Sequence, residues 1–326
     1  MARSLLSTTI ALLALSFMSA AAAADGGPSP GTLDGGAGVS GGAVRYVTVG
    51  TGRTTTLEAV RTDGGKVTGW VNLAGSWGIP AVTFNGGTGG LAKNRSTLVL
   101  GQNAYGSVLR KTSRFAIFTP KTLKHRATVV LKGDFSFDAL SPNGRMLYLI
   151  EHRSSTDLTS YLVRAYDLSS RRLLPGVIAD RTQRGWVMHG TPVSRATTAS
   201  ERFVYTLYQN PGGYPFVHAL DTLRGVAHCI GIPWTGDQSV IGTLQLSVRD
   251  DGRTLAITMP WAGGNPPATV PSFMIDTHTY RVWQPPVATS PHGGFPWWTL
   301  GFAALPLLLI AKRQLRRPWR VLAGTR

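Results

Sequence analysis

From residue 44 onward, apolar and polar residues alternate in short runs, and each run stops at a cluster of Gly, Pro, Asn, Asp or Ser. A period of two predicts half-buried β-strands, because successive strand side chains point to opposite faces. No apolar stripe of helical period persists over the same stretch. The runs recur in a fixed order about every fifty residues, so the repeat decides the architecture. The clearest unit predicts strands over 135–140, 146–151, 161–166 and 172–178. Its turns are Ser141-Pro142-Asn143-Gly144-Arg145 and Asp167-Leu168-Ser169-Ser170. The next unit predicts strands over 187–194, 202–208, 216–220 and 226–232, and the one after over 243–248, 254–259, 272–275 and 280–283. An earlier unit covers 79–84, 97–102, 114–118 and 126–131. A partial unit opens the domain with 45–49, 54–61 and 66–73.

A four-stranded unit cannot bury both faces alone, so units in line must stack on one another. The expectation is an all-β fold, a β-propeller of about five four-stranded blades, over residues 44–287. The opening blade lacks its innermost strand, which either the stretch near Val39 or the segment after Trp283 would supply. A β-sandwich also has short strands, but it lacks a recurring order.

The two ends tell a topological story. Residues 1–24 combine Arg3, an apolar run from Leu5 to Ala20 and small residues before Asp25, the pattern of a secretory signal peptide. Residues 25–43 are rich in Gly, Pro and Ala and read as a flexible spacer. After a linker over 288–295, residues 296–311 carry no charge and predict a single transmembrane helix, short against the usual length of about 20 residues. The tail 312–326 opens with Lys312, Arg313, Arg316, Arg317 and Arg320, which places it on the cytoplasmic side. The Gly293-Gly294 pair, short apolar helix and basic end also resemble a cleaved bacterial sorting tail, although there is no LPxTG motif. Everything between the ends is expected at the outer face of a cell membrane.

Charge sharpens the choice of partner. The net charge is +17; seven of the 33 basic residues lie in the two ends, and all 16 acids lie between them, which leaves the exported part at +10. A basic exported domain favours an anionic glycan, a wall polymer or an envelope protein, and nucleic acid is not expected there. Cys229 is the single cysteine, so no intramolecular disulfide is possible, and its apolar neighbours predict an inert buried thiol. No CxxC or HxxxH spacing suggests a metal site, and no cofactor is expected. Gly86-Gly87-Thr88-Gly89-Gly90 lacks the Lys of a phosphate loop.

The Ser141-Pro142-Asn143-Gly144-Arg145-Met146-Leu147-Tyr148 segment resembles the SPDGRxLY turn of TolB-like and YVTN-type WD40-like propeller repeats. Arg249-Asp250-Asp251-Gly252-Arg253 is a weaker copy, and Tyr166-Asp167-Leu168 and Leu220-Asp221-Thr222 match the same repeats' strand ends. The first blades lack the turn. The resemblance implies a propeller with a binding or scaffolding role and names no catalytic residue.

In such a fold, the loops from each fourth strand to the next blade share a face with the loops between second and third strands. The repeat register puts Trp77, Phe135, Trp186 and Trp234 in the first set and Tyr105, His152, Tyr214 and Trp261 in the second, joined by Arg153 and Arg184. Such an aromatic and basic ring would stack on sugars or hold an acidic peptide; the alternative is that the junction aromatics wedge between blades. Asp138, His189 and Asp237 lie on or near inner strands, without a motif relating them. A membrane-anchored binding or protein-interaction module is the first expectation. A hydrolase or lyase acting on envelope polysaccharide and a structural spacer are the alternatives.

Overall fold

The computed structural model describes residues 30–33, 38–103, 109–180, 182, 187–210, 212–259 and 271–286. The expected signal peptide and membrane helix lie outside these residues. Among the described residues, no helix is long and apolar enough to cross a membrane.

Five antiparallel sheets follow one another along the chain, each a meander of consecutive strands. The first comprises Gly38–Ser40, Val44–Gly50, Thr54–Arg61 and Val67–Ala74. The second comprises Trp77–Pro80, Leu98–Gln102, Thr112–Thr119 and Lys124–Lys132. The third comprises Asp134–Leu140, Met146–His152, Ser160–Asp167 and Arg172–Leu173, with Met188–His189 also paired to Ser160–Asp167. Thr191–Thr197, Phe203–Gln209, Phe216–Asp221 and Val226–Gly231 form the fourth. Gln245–Val248, Thr254–Thr258, Pro271–Asp276 and Val282–Trp283 form the fifth.

Successive sheets bury their faces against each other. Leu57 packs with Ile79, Leu98 and Phe118 between the first and second sheets. Phe115 and Ile117 meet Phe137 and Leu149 between the second and third. Tyr161, Tyr208 and Phe216 fill the next junction, and Leu207, Val217, Leu255 and Ile275 the last. The segment after Trp77–Pro80 ties sheets that are not neighbours in sequence. Phe84 N donates to Pro192 O of the fourth sheet at 2.9 Å, and Thr88 Oγ1 donates to Gly38 O of the first at 3.0 Å. Four-stranded meanders stacked in line are the blades of a β-propeller.

Part of the Gly-rich stretch expected as a spacer is built into sheets. Gly38–Ser40 supplies the strand missing from the opening unit, pairing Val39 with Tyr46. Thr32–Leu33 adds a fifth strand to the second sheet, beside Ile79 and Pro80. It fits because Gly78 and Gly101 lie beneath it. A Cβ on either would come within 2.8 Å of Thr32 atoms.

The repeat turns are held by their own side chains. Gly144 has φ +69°, and its amide donates to Ser141 O at 2.8 Å while Met146 N donates to Ser141 Oγ at 2.9 Å. The Arg that closes this turn then reaches the Asp that opens the turn between third and fourth strands. Arg145 meets Asp167 at 2.9 Å, and Arg202 meets Asp221 at 2.6 Å. These carboxylates also cap turn amides: Asp167 Oδ1 accepts from Ser169 N at 2.8 Å, and Asp276 Oδ1 from His278 N and Thr279 N, each at 2.8 Å. The repeat motif is thus a scaffold of ion pairs and caps.

Candidate functional site

Three of the four aromatics expected at the blade junctions are buried. Trp77, Phe135 and Trp234 are only 8, 2 and 6 % exposed and belong to the clusters between sheets. Their burial follows from the junctions. Gly75 and Gly133, both at positive φ, turn the chain inward, and the amides of Trp77 and Phe135 donate to the hydroxyls of Thr55 and Ser113 at 2.9 and 2.8 Å. The Trp77 indole donates to Ala74 O at 2.8 Å and that of Trp234 to Asp237 O at 3.2 Å. As core side chains, these three are not stacking platforms, which corrects the expectation. His152 is buried as well. Tyr214, 65 % exposed, and Arg153, also exposed, remain at the surface. Tyr105, Trp186, Trp261 and Arg184 lie outside the described residues.

The junction of the third and fourth sheets holds a buried polar network instead. Asp138 sits at a bulge, where the pairing steps from Phe137↔Leu149 to Ala139↔Tyr148. Its carboxylate and its carbonyl oxygen both accept from the Arg195 guanidinium, which stands 57 residues later at the equivalent position of the next repeat. Arg195 Nε also donates to Thr206 Oγ1 at 3.0 Å. Beside the pair is a cavity of about 20 Å³, lined by Pro30, His152, Tyr161 and Tyr208 among others. That space admits roughly one water molecule.

Four titratable groups at this junction, Tyr161, Tyr208, His218 and Cys229, are held neutral. Tyr161 and Tyr208 stack at 5.4 Å between ring centroids. Burial first, then the neighbouring Tyr208 hydroxyl, holds Tyr161 far above the usual phenol range. Burial and the Asp138 carboxylate do the same for Tyr208. Burial pushes the Cys229 thiol up to about 12, with Asp180 adding to it; its Sγ lies 3.9 Å from His218 Nδ1. Burial pushes His218 down to about 4 against the attraction of Asp138. At neutral pH Tyr161, Tyr208 and Cys229 therefore stay protonated and His218 stays an uncharged imidazole. Among the described residues, no group of three His, Cys, Asp or Glu could hold a metal ion.

His218 makes the fold pH-sensitive. Its folded pKa lies below the unfolded value, so the unfolded chain binds the extra proton first. Stability is therefore complete above about pH 6.5 and falls as the pH drops toward 4, by about 3 kcal/mol at the lower end. Chemical denaturation at stepped pH is expected to show this loss in the native chain and a flatter profile over that window in His218→Phe. An equal slope in both would place the sensitivity elsewhere.

A second concavity lies between the second and third sheets. It encloses about 550 Å³ and is lined by Lys124, His125, Arg126 and Arg171 over Ile117, Val129, Tyr166 and Leu168. Arg126 Nη1 is 3.4 Å from Ser96 O, and His125 Nε2 is 3.1 Å from Thr128 Oγ1. No acidic residue lines it. Asp167, next to Leu168, is committed to Arg145 and its turn amides. The signal for this groove was the basic run Lys121 to Arg126 together with Arg171-Arg172, two segments that only the packing of sheets unites. Trp70, 64 % exposed on the first sheet, is a further surface aromatic outside the expected ring.

The five sheets, their stacking order and their turn chemistry define a β-propeller repeat protein. The chain matches no known protein family and no curated protein. Among solved structures it is similar to hydrazine synthase of Kuenenia stuttgartiensis, at 15 % identity and a TM-score of 0.44 over 76 % of this chain and 63 % of that one. It is also similar to TolB from Acinetobacter baumannii, at 14 % identity and a TM-score of 0.39 over 70 % of this chain and 48 % of the other. BamB from Moraxella catarrhalis gives 14 % identity and a TM-score of 0.39 over 74 % and 60 %. The chain thus spans about half to two thirds of the length of each.

Proposed function

We propose that this chain is a membrane-anchored, extracytoplasmic β-propeller that binds an envelope ligand or partner protein at the cell surface. One observation carries the binding role: the acids and bases buried between blades neutralise one another around a space for a single water, while the open concavity lies on the surface. The apolar segment 296–311 and the basic tail support the anchor, and residues 1–24 support export. Enzymatic and purely structural roles are the competing readings.

Two measurements test this. Deleting residues 297–326 is expected to move the protein from the membrane fraction to the medium, and continued retention would refute the anchor. The full chain, extracted in mild detergent, is expected to carry one envelope component in fixed proportion through a salt wash. Combined Tyr214→Ala and Arg153→Glu exchange should weaken that association. A chain that elutes alone at every salt concentration would overturn the binding role in favour of a structural spacer.

A further inference from the structure

We infer that the basic groove between the second and third sheets is the seat of an extended acidic glycan, its carboxylates paired with Lys124, Arg126 and Arg171. The inference rests on the binding role above and names its site and ligand class. Five observations support it.

The groove's volume, about 550 Å³, falls within the usual range of ligand clefts, roughly 300–1,000 Å³. Its cations meet no lining carboxylate, so their field is open to an outside anion. Two of them are arginines, whose planar forks match a carboxylate in two parallel hydrogen bonds. The floor beneath them is apolar, formed by Ile117, Val129 and Leu168 with the Tyr166 ring. An acidic sugar chain offers this combination: ring faces that are partly apolar and edges that carry charge. A planar lipid surface could not reach the floor of a concavity. The +10 charge of the exported part would draw a polyanion toward it from a distance.

Arg171 permits a clean test. It closes the turn between third and fourth strands at φ 56°, where the fourth sheet carries Gly225 at φ 61°. Glycine takes this left-handed conformation freely, so Arg171→Gly removes the guanidinium and leaves the turn its preferred residue.

The experiment is calorimetric titration of the full-length chain in detergent with sodium alginate, at about 150 mM salt, where distant surface charges are screened. Alginate is expected to bind, and its propylene glycol ester, which lacks the charges, is not. Combined Lys124→Gln, Arg126→Gln and Arg171→Gly exchange is expected to weaken binding at least about tenfold. A control set on the first sheet, Arg45→Gln, Arg53→Gln and Lys66→Gln, should weaken it less than about threefold. If the triple groove variant fails to fold, Arg171→Gly alone carries the test, with a loss of about threefold or more. Equal losses in groove and control sets would mean that overall charge, not the groove, holds the polymer, and would overturn the assignment. So would no alginate binding, or equal affinity for the ester. Polyglutamate bound as tightly, with the same dependence on the groove, would overturn the glycan class in favour of an acidic peptide. The co-purification experiment uses no added polymer, so the binding role stands or falls separately.

Discussion

Replacing Arg195 with alanine is expected to cost about 3–5 kcal/mol of unfolding free energy, among the largest effects of any single exchange in this chain. The Asp138 carboxylate is only 4 % exposed, and Arg195, steadied by Thr206 on its own sheet, bridges the third and fourth sheets to reach it. Without the guanidinium, a charge stays buried with its main partner gone. It must be hydrated by distorting the junction, or protonated. The paired variant Asp138→Leu with Arg195→Met should recover most of the loss, because the desolvation cost of both charges disappears with them. Urea unfolding of the three proteins checks this. A loss below about 1 kcal/mol in Arg195→Ala would mean that water reaches the pair and screens it.

The second large effect separates the two aromatic roles anticipated for the blade junctions. Phe135→Ala is expected to cost about 3–5 kcal/mol, the scale of a buried ring removed from a packed core. Phe135 touches the cluster shared by the second and third sheets, and its amide is fixed by Ser113. Tyr214→Ala should change stability by less than about 0.5 kcal/mol, as for an exposed side chain without partners in the core. The same thermal or urea measurement on both variants decides the point. A small loss for Phe135→Ala would return that ring to the list of surface contacts.

The strand order was legible because alternation and the spacing of turn residues are both local. The turns themselves were legible only where glycine stands at the left-handed position. Ser141 to Met146 and Arg249 to Thr254 carry Gly144 and Gly252 there. The same hydrogen-bonded loop recurs from Ala92 to Thr97 and from Thr198 to Phe203, but Arg95 and Glu201 take the positive φ. Asn94 Oδ1 and Thr198 Oγ1 accept the neighbouring amides in those two copies, so the geometry survives without the signature residue. The stretch near Val39 was one of two places foreseen for the missing strand of the opening unit, and Gly38–Ser40 fills it, whereas the short strand Thr32–Leu33 was hidden. Two residues are too few to show a period, and the place of Thr32–Leu33 depends on space left by Gly78 and Gly101, about forty-five to seventy residues away. Facing direction was the least legible property. Repeat register put Trp77 and Phe135 near the loop face, while a hydroxyl on the preceding sheet, Thr55 or Ser113, decides that they point into the junction. The basic groove was not read from the sequence, because its cations stand in two separate segments that only the packing of Tyr166 against the second sheet brings together.

The early position of Gly38–Ser40 and Thr32–Leu33 has a kinetic consequence. Their partners Tyr46 and Ile79 follow within about fifty residues, so both pairings close short loops. As synthesis delivers the chain from its N-terminal end, the first two sheets can assemble completely while later repeats are still emerging. A propeller whose opening sheet took its missing strand from the far end would have to wait for the whole chain, leaving an unpaired sheet edge open to aggregation meanwhile. This arrangement shortens that exposure and lets folding run from the first sheet toward the last.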